Sequence, residues 1–402
     1  MDKGFGDKNN VYIWSMKKFN GFLYIGTIND VKGCQIYRSE SGNKGTWKQV
    51  NESGFGHGPD SAGARNMIVY KNLLWVVTSS WRIGTQVWIT NGEENKNGLL
   101  NWEKANKNGF GDGENVPSSR SVCVYKNKLY VGSRGIDNPR IYRYEGPTDL
   151  EGIDPNKWNW INEDWQENPD HNPYLFLPGE MIKYKAKGGK EYLYVGVYID
   201  AVPLIDPLLT KFTIKNLKNL VKMIFLRCEI WRYDGNSWRE VVKKGFGRSN
   251  TMALAAQELN SILYFGTHNM LGAEIWKTED GTNWSQIAKR GFGKIFNFGA
   301  WGMYKYRNRL IVGTENPISG CQIWASITEN PKKQKDFVKI NTSGMKKKTF
   351  NHFRLKQDGV QEFEVFKGKI YTGTACWMSC ATRITGPGCE IWRIDHLPKE
   401  LR

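Results

Sequence analysis

The 402-residue sequence has no apolar run long enough to form a membrane-spanning helix, and no signal peptide at its start. Cysteine is scarce as well. The sequence has 7 cysteines, an odd number, and their spacing matches no disulfide framework. The first absence excludes a transmembrane helix within these residues, and the second argues against a disulfide-built scaffold. Four cysteines recur at one position before an apolar strand, where a small half-buried residue is expected: Cys34, Cys228, Cys321 and Cys389.

Acidic residues are in the minority, because 40 Asp and Glu stand against 57 Lys and Arg and leave a net charge of +17. A basic balance favours anionic partners, such as nucleic acid, an anionic small molecule, an acidic glycan or an anionic membrane surface. Lysines spread over a solvated surface would give the same balance. No recognition helix, zinc finger or RNA-binding signature accompanies the lysines, so nucleic acid is the least favoured partner.

Aromatic residues and glycine are plentiful, and both belong to a repeat. Seven copies of a Leu-Tyr-x-Gly-Thr type segment begin at Leu23, Leu74, Leu129, Leu193, Leu263, Leu310 and Ile370. Each is followed by a second apolar run: 35–37, 86–88, 140–142, 229–231, 274–276, 322–324 and 390–392. Alternating, β-branched and aromatic runs of this kind are typical of strands, and the turn residues before each first run indicate tight hairpins.

Four antiparallel strands per repeat predict an all-β, seven-bladed β-propeller, because radial closure hides the sheet edges that an open array would expose. We expect one propeller domain over 1–402, with an insertion at 201–227 in the fourth blade. The predicted blades are 7–53, 54–108, 109–165, 166–244, 245–290, 291–344 and 345–402.

The phrases Gly-Phe-Gly, Leu-Tyr-x-Gly-Thr and Glu-Ile-Trp-Arg resemble the repeats of uncharacterised microbial β-propellers, many of them surface proteins. The segment 278–284 resembles a shortened Asp-box, the hairpin of sialidase-like propellers, with weaker relatives at 39–47 and 234–238. Both resemblances imply a fold and leave the activity open. The chain begins partway through a Gly-Phe-Gly motif, and the last blade has no evident fourth strand, so we expect a leader or strand upstream and an extracellular or cell-surface location.

Loops between the second and third strands share a face with the loops between blades, so this face should carry any site. The residues that open the innermost strands should line the channel: Trp14, Arg65, Arg120, Glu180, Trp301 and Glu362. The loops on this face add Asn29, Asp30, Trp81, Arg82, Arg134, Asp137, Tyr198, Asp200, Asn269, Glu315, Asn316 and Arg383. These residues differ from blade to blade, which favours a site over a purely structural ring.

Arginines beside carboxylates allow two readings of such a site. In the first, Arg65, Arg120 and Arg134 hold a carboxylate or sulfate, and Trp14, Trp301 and Asn269 contribute to substrate binding. The candidate acids and bases are then Glu180, Glu362, Tyr198 and Asp200, which suit a lyase or hydrolase acting on an acidic glycan. In the second reading, paired carboxylates flank a glycosidic bond. The structural alternative to both readings is an Arg–Glu ion pair that braces neighbouring blades.

Histidine is rare, and four of the 5 histidines fall on this face: His57, His171, His268 and His352. Four histidines from separate blades hold iron in propeller oxygenases of the carotenoid-cleaving type, which makes them weak metal candidates. Cys376 and Cys380 could pair in a disulfide or ligate a metal, and the cofactor therefore stays unknown.

The insertion contains the one strongly helical pattern, over 208–226. Lys211, Lys215, Lys218 and Lys222 gather on one face, opposite large apolar residues. Such a helix packs on the rim, covers the channel or docks to an anionic membrane. Three functions stay open: a channel enzyme, a non-catalytic glycan- or ligand-binding module, and a protein-interaction scaffold, membrane-associated through this helix. We slightly favour a glycan- or ligand-binding propeller, with or without catalysis, over the scaffold.

Overall fold

The computed structural model describes residues 3–135, 138–163, 165, 176–199, 227–341, 345, 357–376 and 388–395. These residues contain 27 β-strands, and every pairing between strands is antiparallel. One sheet has 23 strands and a second sheet has 4. The all-β, antiparallel class predicted from the repeats is confirmed.

The strands follow one another in seven groups. Strands of the first three groups are β1 (Tyr12–Phe19), β2 (Phe22–Ile28), β3 (Ile36–Ser39), β4 (Lys48–Gln49); β5 (Gly63–Tyr70), β6 (Leu73–Ser79), β7 (Val87–Thr90), β8 (Glu103–Lys104); β9 (Ser118–Tyr125), β10 (Lys128–Arg134), β11 (Pro139–Tyr144) and β12 (Trp158–Trp160). Strands of the next two are β13 (Phe176–Lys185), β14 (Glu191–Ile199), β15 (Glu229–Tyr233), β16 (Trp238–Val242); β17 (Met252–Leu259), β18 (Ile262–His268), β19 (Ile275–Thr278) and β20 (Ser285–Ala288). The last two comprise β21 (Gly299–Tyr306), β22 (Arg309–Glu315), β23 (Ile323–Ser326), β24 (Phe337–Lys339); β25 (Gly359–Phe366), β26 (Lys369–Ala375) and β27 (Ile391–Ile394).

Helical structure in the described residues is limited to single turns. Two are α-helical, α1 (Lys244–Gly247) and α2 (Arg290–Gly293). The 3₁₀ turns are Lys3–Gly6, Ser53–Gly56, Gly58–Asp60, Asn108–Gly111, Gly113–Asn115 and Gln334–Asp336. No helix in these residues is long and apolar enough to cross a membrane. The predicted insertion helix lies outside the described residues, as do Met1 and Asp2.

The first strands of the groups surround a common axis. Each of β1, β5, β9, β13, β17, β21 and β25 contacts the next, and β25 contacts β1. Single residue pairs also join neighbouring groups, such as Ile28 with Gly63 and Tyr12 with Ala375. Strands β13–β16 form the separate sheet, so strand pairing among the described residues does not close the ring, and the count of seven blades stays a prediction.

The Gly-Phe-Gly turns attach each group to the one before it. Phe292 has a φ of 60°, which is rare for a bulky residue, and its ring stacks on Trp324 at 4.7 Å and meets the edge of Phe337 at 5.3 Å. Phe55, Phe110 and Phe246 repeat this contact with the third and fourth strands that follow them. Aromatic packing thus holds a strained turn, and these turns and the second-to-third-strand loops form one face, which we call the loop face.

The opposite face carries the turns between first and second strands, and we call it the hairpin face. Six of these turns have two residues, both with positive φ, as in a type I′ turn: 20–21, 71–72, 126–127, 260–261, 307–308 and 367–368. The segment 278–284 lies between third and fourth strands, where the Asp280 carboxylate accepts hydrogen bonds from the Thr282 and Asn283 N–H groups at 2.8 and 2.7 Å.

Candidate functional site

Every first strand carries a β-bulge at the same place, near the loop-face end of the axis. The pairing register shifts across residues 14, 65, 120, 179–180, 254, 301 and 361. A bulge bends the strand and re-aims a side chain, and bulges are frequent beside active sites. Trp14, Arg65, Arg120, Glu180 and Trp301, all predicted to line the channel, therefore lie in one layer around the axis.

The layer departs from the predicted list at two groups. In the seventh group the bulged residue is Gln361, and Glu362 follows it, paired with Gly373. In the fifth group the bulged residue is Leu254, which the sequence reasoning missed. A spacing could have found both, because each of the six bulged residues outside the fourth group stands nine positions before the first residue of its Leu-Tyr-x-Gly-Thr segment.

Three of the predicted arginines stack on aromatic rings. The Arg65 guanidinium carbon lies 3.9 Å from the ring centre of Trp14, that of Arg134 lies 5.2 Å from Trp81, and that of Arg120 lies 5.2 Å from Tyr198. Arg120 also donates a hydrogen bond from Nη1 to the Tyr198 hydroxyl at 3.3 Å. Stacking fixes a guanidinium without neutralising it.

Arg120 is the cation around which the other charged groups of the site are organised. Burial by itself lowers the pKa of Arg120, but the Tyr198 hydroxyl and then Glu180 outweigh it, so the net shift is upward. In the described part of the chain, no carboxylate lies within ion-pair distance of Arg120. The guanidinium stays charged and is held by the Tyr198 hydroxyl.

Glu180 and Glu362 both interact electrostatically with Arg120, and both have raised pKa values. Burial raises the pKa of Glu180 to about 7, against the opposing effect of Arg120 and Lys17. Burial, and next the nearby Glu180 carboxylate, raise the pKa of Glu362 to about 8. Two carboxyl groups that interact in this way are mutually coupled, so at neutral pH they do not both ionise.

A third carboxyl group, Glu315, lies at the end of β22, next to His268 at the end of β18. The Glu315 Oε2 atom is 3.7 Å from His268 Nε2, and the Thr251 hydroxyl is 3.1 Å from His268 Nδ1. Burial, followed by the charge of Asp358, raises the pKa of Glu315 to about 8, and burial lowers the pKa of His268 to about 4. Both side chains are therefore largely neutral at pH 7, in contact without an ion pair.

Apolar and aromatic side chains surround these groups at the loop-face end. Tyr12 contacts the rings of Trp14 and Trp301, with ring centres 5.4 and 6.2 Å apart. Trp301 also packs on the cluster of Leu177, Tyr198 and Leu254. Trp14 and Trp301 are both half-buried. The polar groups thus lie within an aromatic surround, which lowers the local dielectric and strengthens electrostatic interactions.

Asn269 is held by the protein itself. Its side chain is buried, its Nδ2 donates to Asn250 Oδ1 at 3.0 Å, and its Oδ1 accepts from the Leu271 N–H at 2.9 Å. Asn29 and Asn316 make the same contacts in their own groups. The repeat of this network gives the amide a loop-locking role, and we leave Asn269 out of the site proposed below.

The metal candidates are only partly within view. His57 is exposed after its Gly-Phe-Gly turn, and His268 is engaged as described above. Among the described residues, no group of three or more His, Cys, Asp or Glu could hold a metal ion. His171 and His352 lie outside these residues, and so do Asp137, Asp200, Cys380, Arg383 and the four lysines predicted to contact a membrane: Lys211, Lys215, Lys218 and Lys222.

A cavity of about 550 Å³ opens at the hairpin-face end of the first strands. Its lining residues are Lys17, Lys18, Phe19, Asn20, Val69, Asn72, Tyr304 and Glu364. The buried Glu364 carboxylate is 3.5 Å from Lys17 Nζ and accepts a hydrogen bond from the Tyr304 hydroxyl at 3.1 Å. Because Lys17 also lowers the pKa of Glu180 and Glu362, the cavity and the channel groups are electrostatically connected.

Comparison with known proteins identifies a fold. No protein-family model matches the chain, and no curated protein matches it in sequence. Among solved structures, the polysaccharide lyase Uly1 superposes with a TM-score of 0.51 at 7% identity, over 90% of this chain and 86% of the lyase. This similarity supports the fold described above, and the resemblance to a particular microbial repeat type stays a prediction.

Two more distant matches are also proteins that act on or bind glycans. The GH74 enzyme of Niastella koreensis superposes with a TM-score of 0.48 at 14% identity over 82% of this chain, and the chain spans 45% of that enzyme's length. The lectin SapL1, solved with α-methyl fucoside, superposes with a TM-score of 0.45 at 12% identity, over 84% of this chain and 97% of the lectin.

Proposed function

We propose that this chain is a seven-bladed β-propeller that binds an acidic glycan in its central channel, with Arg120 as the anchor for a carboxylate or sulfate group. The observation that carries the proposal is the state of the charges around Arg120. Its guanidinium is hydrogen-bonded to the Tyr198 hydroxyl, while Glu180, Glu362 and Glu315 have pKa values of about 7, 8 and 8. At neutral pH Glu180 is therefore about half ionised while Glu362 and Glu315 are mostly protonated, so the charge of Arg120 is only partly compensated.

An anion is the ligand class that this charge state favours. A carboxylate or sulfate can accept paired hydrogen bonds from a guanidinium, and burial makes these bonds stronger than in water. The protonated carboxyl groups donate hydrogen bonds and do not repel the anion. A cationic ligand would meet Arg120 directly, and a neutral one would leave its charge unpaired.

A sugar fits the remaining surface of the site. Trp14 and Trp301 present half-buried rings beside the polar groups, and ligand sites commonly combine aromatic walls with a few polar contacts. The matched structures include a polysaccharide lyase, a glycoside hydrolase family enzyme and a lectin. These names support the choice of a glycan over other acidic molecules.

The same groups supply acid–base chemistry. A carboxyl group with a pKa near 7 can donate or accept a proton at neutral pH, and Glu180 has this property. Arg120 interacts electrostatically with Tyr198 and Glu180, and Glu180 interacts with Glu362. We extend the proposal to a lyase or hydrolase in which Glu180 transfers the proton and Arg120 holds the acidic group of the substrate.

Calorimetric titration with a galacturonate trisaccharide tests the binding. We expect proton uptake on binding, because an anion beside Glu180 raises its pKa further, and affinity should fall by up to about tenfold per pH unit above pH 7 for each proton taken up. Arg120→Gln should abolish binding. The matched control is Arg239→Gln, which removes an exposed guanidinium in β16.

Two results would contradict the proposal: equal affinity of the Arg120→Gln variant and the unaltered chain, or preference for a neutral trisaccharide. Incubation with polygalacturonate then tests catalysis. A lyase product absorbs in the ultraviolet because elimination leaves an unsaturated uronate, whereas hydrolysis produces reducing ends alone. Glu180→Gln should remove either activity and retain trisaccharide binding.

A protein-interaction scaffold is the second candidate, and one observation favours it. Met270, Leu271, Ile295, Phe296 and Ile318 are exposed by 40–69% on the loop face. Backbone hydrogen bonds from Ala273 to Asn297 and from Asn269 to Phe298 join two of their loops. Apolar patches of this kind mark interaction sites. Self-association that Leu271→Ser and Phe296→Ser abolish would support this function, whereas unchanged sedimentation of the variant would not.

A further inference from the structure

We propose that the hairpin face binds a long acidic polysaccharide through a ring of basic turn residues. Four of the six two-residue turns on this face begin with a basic residue: Lys71, Lys126, Arg307 and Lys367. Because every turn joins a first strand to a second strand, the repeat places all four at one end of the axis. This surface is separate from the channel site, and its residues are different from those around Arg120.

The conformation of these four residues is the first observation. Their φ values are 50°, 45°, 46° and 46°, in the left-handed region where a side chain with a Cβ atom is disfavoured. The first position of such a turn favours Asn, Asp or Gly. Asn20 and Asn260 hold this position in two further turns, with φ values of 44° and 52°. Basic residues therefore stand where the turn itself prefers asparagine, and strain of this kind concentrates at functional positions.

Exposure and charge are the second observation. All four side chains are exposed, and none forms an ion pair with a carboxylate of the described residues. Lys126 donates from Nζ to the Asp234 backbone carbonyl at 2.6 Å, which positions the ammonium group and leaves its charge. The ring is thus a set of cations held at defined places around one mouth of the molecule.

The first strands add to the same charge. Near the end of each first strand one residue faces this mouth: the second-last residue in six of the strands and the third-last in the longer β13. Three of these seven residues are exposed lysines, Lys18, Lys183 and Lys305. Lys18 also lines the cavity of about 550 Å³ described above.

The described residues of the hairpin face present no large exposed aromatic ring, and this favours polysaccharide over nucleic acid. Proteins that bind single-stranded nucleic acid stack bases on exposed aromatic rings. In the described part of the chain, the large exposed aromatic side chains are Trp81 and Phe296, and both belong to the loop face. The hairpin face offers instead side-chain amides, such as Asn72, beside the cations, and amides with ammonium groups suit hydroxyl and carboxylate groups of an acidic sugar chain.

Two variants with the same net charge test the proposal. The hairpin variant carries Lys71→Asn, Lys126→Asn, Arg307→Asn and Lys367→Asn. The control variant carries Lys8→Asn, Lys107→Asn, Lys289→Asn and Lys294→Asn, four exposed lysines of the loop-face turns. Each lowers the net charge from +17 by four. The measurement is binding to polygalacturonate over a range of salt concentrations, with both variants also carrying Arg120→Gln so that the channel does not contribute, together with thermal unfolding.

We expect the hairpin variant to bind polygalacturonate at least about tenfold more weakly, with a shallower dependence on salt, because binding driven by counterion release scales with the number of charge contacts. The control variant should retain its affinity. The hairpin variant should also unfold at the same or a higher temperature, since asparagine suits positive φ. A purely structural role of the four residues predicts loss of stability instead.

Equal weakening of both variants would overturn the proposal, because net charge alone would then explain binding. Tighter binding of a single-stranded DNA with the same number of charges would also overturn it, in favour of nucleic acid. Arg120→Gln separates this surface from the channel site: it should leave polygalacturonate binding by the hairpin face intact and remove trisaccharide binding. Failure of one proposal is thus distinguishable from failure of the other.

Discussion

Glu315→Gln should remove a specific part of the pH dependence of stability. The side chain is 7% exposed, and burial with the charge of Asp358 raises its pKa to about 8, from an ordinary value of 4.5. The folded chain therefore keeps a proton that the unfolded chain releases above pH 4.5. A group with a raised folded pKa contributes stability below its unfolded pKa, and that contribution is lost as pH rises through the folded pKa.

The neighbouring histidine decides the pH range in which to measure the effect. Burial lowers the pKa of His268 to about 4 from 6.5, so its contribution rises with pH between these values and opposes that of Glu315. Above pH 6.5 the His268 contribution is constant. For a group that is protonated only in the folded chain, each pH unit lowers the free energy of unfolding by about 1.4 kcal/mol. Glu315 should therefore lower it by about 2 kcal/mol as the pH rises from 6.5 to 8.

Urea unfolding followed by tryptophan fluorescence at these two pH values measures the difference. Glutamine has the shape of the protonated side chain and does not titrate, so the variant should already be more stable than the unaltered chain at pH 6.5, and this difference should grow by about 2 kcal/mol at pH 8. Glu93→Gln, at an exposed position, is the control and should follow the unaltered chain at both values. The same pH dependence in Glu315→Gln and the unaltered chain would refute this account of the cluster.

Two stability predictions concern the repeat itself. Phe292→Ala should lower the free energy of unfolding by about 3–5 kcal/mol, because it empties the site between Trp324 and Phe337. The control is Phe296→Ala, which removes an exposed ring four positions later. Equal urea midpoints for both variants would contradict this packing. Gly281→Ala should be far more destabilising than Gly188→Ala. Both glycines have positive φ, but only at Gly281 would a Cβ atom lie 1.8 Å from the Tyr194 hydroxyl. A similar fall in melting temperature for both variants would show that the hairpin moves aside.

Much of the architecture follows from local patterns. The seven repeated segments predicted antiparallel strands, and the pairing register shows them at equivalent positions, with Leu23 opposite Lys18 and Leu310 opposite Lys305. Period-2 patterns and turn residues act within a few residues, so they are legible in the sequence. The number of blades stays a prediction, and so does the helix with its lysine face in residues 201–226.

The candidate site was only partly predictable. Trp14, Arg65, Arg120 and Trp301 lie in the predicted layer, whereas Gln361 takes the place expected for Glu362. A one-residue bulge decides which side chain points to the axis, and the pattern of apolar residues does not reveal which residue is bulged.

The sequence by itself determined the repeat, the antiparallel strand class, the tight hairpins and the set of charged residues available near the axis, because each depends on neighbours within one repeat. Only the tertiary structure decided which of those charges meet. Arg120 and Tyr198 are 78 residues apart, yet a hydrogen bond joins them, and three carboxyl groups from the fourth, sixth and seventh groups of strands interact with one another or with Arg120. Proton affinity depends on burial and on charges brought together by the whole fold, so a glutamate that reads as an ordinary anion in the sequence has a raised pKa in the folded channel.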